Sequence, residues 1–160
     1  MRKLVRLAML SAICVALRLV LVDFPNVKPV TAIFLAIAVL WSLGDSLLVM
    51  LVTMLVSAIW LGMSVIVVAQ IGVYALLITI FWALARMWAV HWQALFAFLL
   101  CFVYGFGLDV FSGLIYGFGK AGLVAYWLAG LPFDLAHALS TAVCLPVVTL
   151  ILREIEKRAR

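Results

Sequence analysis

From Val30 to Ala85 the chain carries one formal charge, Asp45, and the apolar stretches around it lack the strict alternation of a half-wet strand. Backbone N–H and C=O groups cannot be left unpaired in hydrocarbon, so such a chain must form helices or a closed barrel. The missing alternation selects helices. Composition agrees: 70% of the 160 residues are apolar, 11% are charged, and mean hydropathy is +1.38, against roughly 45–50% apolar and 25% charged in soluble domains. The expected fold is therefore an all-α, multi-pass integral membrane protein, with residues 1–160 forming a single membrane domain.

At about 20 residues per crossing, the chain divides into six spans, near 4–22, 30–43, 46–61, 65–85, 92–115 and 132–152. Asp23, Pro25, Asn26, Lys28 and Pro29 make the first connection a loop. Gly44-Asp45 and Gly62-Met63-Ser64 are the expected breaks that follow, and Arg86, Trp88, His91 and Trp92 form an interfacial cluster before span five. Gly117, Gly119, Lys120 and Gly122 end that span, and residues 121–130 are expected to be a short apolar segment or re-entrant loop. Pro132 would then open the last helix, where its missing N–H costs nothing.

The net charge of +5 gathers at the ends, in Arg2, Lys3 and Arg6 and in Arg153, Lys157, Arg158 and Arg160. That distribution is a topology signal, with no nucleic-acid partner expected. An even number of spans puts both basic ends and Arg86 on one side, so the expectation is a compact bundle of six transmembrane helices with both termini cytoplasmic. The first 22 residues have the outline of a secretory signal but no small-x-small cleavage site before Asp23, and are expected to stay as the first span. Cys14, Cys101 and Cys144 are scattered in apolar runs, with neither a disulfide nor a metal-ligand spacing.

Polar and aromatic residues crowd the half of the chain assigned to the outer side: Asn26, Lys28, Trp60, Gln70, Tyr74, Tyr104, Asp109, Tyr116, Lys120, Tyr126, Trp127, Asp134 and His137. An ionisable group in a span costs about 2.5–3.5 kcal/mol even on mild insertion scales, so such residues face a cavity or a partner. An outward pocket is the natural inference. Asp134 and His137, three apart, share a helix face, and His137 either meets a ligand or bonds Asp134 or a carbonyl as structural glue. Asp109 either faces the pocket, caps a helix or pairs with Lys120. The tryptophans and tyrosines also suit an interfacial belt, and Gln70 an interhelical hydrogen bond. No nucleophile lies beside a base, so no catalytic residue, metal or cofactor is expected.

Ala8, Ala12 and Ala16 recur every fourth residue in span one, a small face that lets another helix approach, and Ser11 extends it. Arg18, past the middle of that span, needs a carboxylate such as Asp23 or a water-filled cleft. Gly117-Phe118-Gly119-Lys120-Ala121-Gly122 has neither the spacing nor the Ser/Thr of a nucleotide loop. Any work against a gradient must draw on a partner or an ion.

Six short spans, Ala8-x-x-x-Ala12-x-x-x-Ala16, the loop Phe24-Pro25-Asn26-Val27-Lys28-Pro29-Val30-Thr31 and the segment Leu131-Pro132-Phe133-Asp134-Leu135-Ala136-His137-Ala138 together resemble the substrate-binding S component of energy-coupling factor (ECF) transporters, vitamin importers of the ATP-binding cassette class. The resemblance covers essentially the whole chain. It implies a vitamin bound in an outward pocket, a bacterial cytoplasmic-membrane location, and docking through Ala8, Ala12 and Ala16 on a transmembrane coupling subunit driven by two separate ATPases. It would make Asn26, Lys28, Trp60, Gln70, Tyr74, Tyr104, Asp109, Tyr116, Trp127, Asp134 and His137 the substrate-binding set. Within the family the loop and the last-helix segment look most like cobalamin members, with folate, pantothenate or a queuosine precursor as alternative cargo. A small membrane scaffold, its polar residues only holding helices together, is the alternative from a different class.

Overall fold

A computed structural model of the chain describes residues 2–24, 26–120 and 122–158. The expectations for Pro25, Ala121, Arg160 and the Arg2 side chain fall outside the described residues. Six helices follow in order: α1 Arg2–Val20, α2 Val30–Leu40, α3 Leu43–Leu61, α4 Val65–Ala85, α5 Val90–Tyr116 and α6 Gly122–Arg158. Four of them, α3 to α6, are long and apolar enough to cross a membrane. The 11-residue α2 is only about 16 Å long at 1.5 Å per residue, half of a bilayer core of about 30 Å.

α2 is nonetheless the centre of the bundle. Its residues from Val30 to Ala38 are all buried, and it touches α1, α3, α4 and α6. A helix apolar all round has no face to give to water, and here it gives none to lipid either. Hydrocarbon provides no hydrophobic drive between helices, so close van der Waals fit and polar ties hold the bundle. Ala32, Ala36 and Ala38 supply the small surface, and Ser46 Oγ of α3 donates to the Phe34 carbonyl at 2.7 Å.

Besides the C-terminal end of α6, which lies at Arg158 rather than at residue 152, two helix boundaries differ from those expected. The break between α2 and α3 falls at Trp41-Ser42, and Gly44-Asp45 lies inside the first turn of α3. Ser42 Oγ accepts the Asp45 N–H at 3.1 Å, so Ser42 caps the helix and Asp45 places negative charge near its positive end. At the other boundary, α6 runs for 37 residues through both Pro132 and Pro146. The expected re-entrant segment is helix, and Pro132 is interior rather than first-turn. An apolar stretch unwound in lipid would expose several backbone groups, whereas a proline forfeits only the bond to the carbonyl four residues back. The remaining spans agree with the sequence expectation to within two residues.

The two terminal helices border a common recess. Lys3 and Arg6 of α1, Leu40, Trp41 and Asp45 of the α2–α3 turn, and Glu156 of α6 line one recess, and Lys3 Nζ pairs with Asp45 Oδ1 at 2.8 Å. α1 packs chiefly on α3, through the side that carries buried Leu7, Ser11 and Cys14, while Ala8, Ala12 and Ala16 are exposed. Ser11 therefore does not belong to the alanine stripe. Arg18 meets no carboxylate among the described residues: its Nη1 donates to Met54 Sδ at 3.0 Å and its Nε is buried without a partner.

Candidate ligand cavity

At the end of the bundle opposite the chain termini, α4, α5, α6 and the α1–α2 connection enclose a cavity of about 180 Å³. Asn26, Gln70, Tyr104, Gly105, Leu108, Asp109, Gly130, Phe133, Asp134 and His137 line it. Six of the eleven residues singled out in the sequence converge there from four separate segments.

Each lining residue is held by local structure. Asn26 takes φ +62°, a left-handed conformation that Asn tolerates better than most residues. Its Nδ2 donates to the Phe133 carbonyl at 3.2 Å, which ties the connection to α6. Beneath the cavity, Thr31 of α2 joins three helices: its Oγ1 lies 3.0 Å from Tyr74 OH and 2.8 Å from His137 Nε2. One hydroxyl proton cannot serve two bonds, so at least one of Tyr74 and His137 donates to Thr31. Tyr104 stacks obliquely on Tyr74 with ring centroids 4.4 Å apart, and meets the His137 ring edge-on at 5.2 Å. These contacts leave little rotational freedom to the aromatic floor.

α5 and α6 meet through a reciprocal arrangement. Gly105 of α5 lies against the Asp134 carboxylate of α6, and Gly130 of α6 lies against Asp109 of α5, where a β-carbon on residue 130 would sit 2.9 Å from Asp109 Oδ2. In each helix the glycine precedes its aspartate by four residues, one turn. Both Asp109 Oδ2 and Asp134 Oδ2 are buried without a hydrogen bond. Asp134 is 7% exposed and His137 5%.

The remaining sequence candidates are elsewhere. Tyr74 is one layer below the cavity. Trp127 packs edge-on against Phe106 at 5.8 Å with its Nε1 buried and unbonded. Trp60 and Tyr116 are exposed, 66% and 67%. Lys28 is half-buried in the α1–α2 connection, and burial together with the Arg18 charge lowers its pKa. His137 bonds Thr31 rather than Asp134, and Asp109 has no ion pair with Lys120 among the described residues. Sequence reasoning missed Thr31, Gly105 and Gly130. The frame Gly-x-x-x-Asp, present at 105–109 and again at 130–134, was the available signal. The chain matches no family model, no curated protein and no solved structure.

Proposed function

We propose that this membrane protein is the substrate-capturing S component of an ECF-type importer, binding a vitamin or similar micronutrient in the cavity between α4, α5 and α6. The observation that carries the reading is the convergence of Asn26, Gln70, Tyr104, Asp109, Asp134 and His137 on one cavity. A scaffold that used polar residues only as glue would spend them on each other, whereas both aspartates keep an unbonded oxygen. The exposed Ala8, Ala12 and Ala16 fit the second half of the proposal, a lipid-facing surface on which a coupling subunit, driven by two ATPases, can dock. A six-helix bundle with both basic ends in the cytoplasm completes the proposal, supported by the recess that α1 and α6 share.

The cavity, at about 180 Å³, is smaller than the roughly 300–1,000 Å³ typical of drug-sized ligands. A compact solute enters it as it stands. Cobalamin would require the Asn26–Phe133 tie to release and the α1–α2 connection to swing away. Calorimetry on the purified chain with cobalamin, folate, pantothenate and riboflavin tests the proposal. Tight binding of one names the cargo, and silence from all four in a folded sample rejects these cargoes.

A further inference from the structure

Asp109 and Asp134 are the two formal charges that line the cavity, and no cationic side chain lines it with them. The neighbouring imidazole, His137, is engaged through Nε2 by Thr31. Neither carboxylate forms an ion pair among the described residues, and each holds an oxygen that is buried and unbonded. Asp134, more than nine-tenths buried, lines the cavity with its Oδ2 unpaired. Such an atom forfeits its bonds to water and receives nothing in return, which is unfavourable and more so if the group is charged. Structural glue does not account for it.

Glycine placement points the same way. Gly105 and Gly130 remove the β-carbons that would otherwise push each carboxylate aside, so the helices close on two aspartates that both line the cavity. Residues 105 and 109 of α5 oppose 134 and 130 of the antiparallel α6, which sets the carboxylates about one turn, ~5.4 Å, apart along the helix axes. We infer that Asp109 and Asp134 form a two-carboxylate clamp for a solute bearing a protonated amine or amidine, with Gln70, Asn26 and the Tyr104 and His137 rings surrounding the rest of it. A planar amidinium presents parallel N–H donors to a carboxylate, and the charge-assisted bonds formed are about twice as strong as neutral ones. The assignment rests on the capture reading and gives it a ligand chemistry.

Benzamidine, benzamide and benzoate vary the charge on one small ring skeleton and are the probes. In the detergent-purified chain, millimolar benzamidine is expected to raise Tm, while benzamide and benzoate do not. Asp109→Asn and Asp134→Asn, which keep side-chain volume, should each weaken benzamidine binding at least about tenfold, the loss expected for a charge-assisted hydrogen bond. Equal shifts from benzamide, no shift from benzamidine, or a shift that survives both substitutions would overturn the clamp. The comparison of three probes on the unaltered chain decides the matter even if a variant fails to fold. Should the clamp fail while ligand uptake remains sensitive to Ala12→Trp, the capture reading stands without it.

Discussion

Gly105 lies directly against the Asp134 carboxylate across the α5–α6 contact, in the space that any β-carbon would need. Gly105→Ala is therefore expected to force Asp134 or the helix pair to move, at the roughly 1–3 kcal/mol typical of overpacking. Thermal unfolding in detergent reads this as a lowered Tm. Gly72→Ala is the control, because nothing lies within 4 Å of a β-carbon there and alanine is the better helix former. A Tm loss as large at residue 72 as at residue 105 would contradict the close approach.

Thr31→Val tests the polar tie under the cavity. The change keeps the branched shape and removes the oxygen that both Tyr74 and His137 use. Two buried groups lose a partner, so a destabilisation of about 1–3 kcal/mol per unsatisfied group is expected, with weaker ligand binding as the floor loosens. Thr31→Ser should retain most of both. Equal behaviour of Val and Ser variants would remove the hydroxyl from the account.

Ala12→Trp fills the exposed small face of α1. Reconstituted with its coupling subunit and ATPases, the variant should lose uptake by tenfold or more while the isolated chain binds ligand unchanged. Uptake at the ordinary rate would show that this face does not dock.

Lys28 supplies a pH signature outside the spans. Burial first, and the Arg18 guanidinium second, lower its pKa from the ordinary 10.5. The unfolded lysine keeps its proton to higher pH, so between the folded value and 10.5 the unfolded state binds more protons. Stability then rises with pH across that window, and the penalty is present in full below it. Acylation by acetic anhydride should accordingly reach Lys28 at lower pH than it reaches a free lysine amide in the same solution, once allowance is made for access, and Arg18→Gln should narrow the difference. Coincident pH midpoints for Lys28 and the free lysine amide would refute the shift.

Much of the fold was legible because lipid is an unforgiving solvent for backbone. Breaks at Gly62 and near Arg86 follow from punctuation in the sequence, and α4 falls on the expected span, Val65–Ala85. The α2–α3 break falls at Trp41-Ser42 rather than at Gly44-Asp45 because the Ser42-x-x-Asp45 cap outweighs the glycine. α6 begins ten residues before Pro132, the start that proline suggests in the sequence, because hydrocarbon favours an interrupted helix over an unwound one.

The sequence by itself determined the solvent, the helical class and a short roster of polar residues out of place in lipid. Tertiary structure alone decided which of these meet: Asp134 with Gly105 rather than with His137, His137 with Thr31, and Trp127 with Phe106, while Trp60 stays exposed. Hydropathy cannot make that choice, because a side chain facing lipid is as apolar as one facing a neighbouring helix, and the pattern that marks an inner face in water is absent. Ala8 and Ser11 illustrate the point, one exposed and one buried on the same short helix. Packing of small residues and the pairing of a few polar atoms select the faces, and both depend on which helices come together in space.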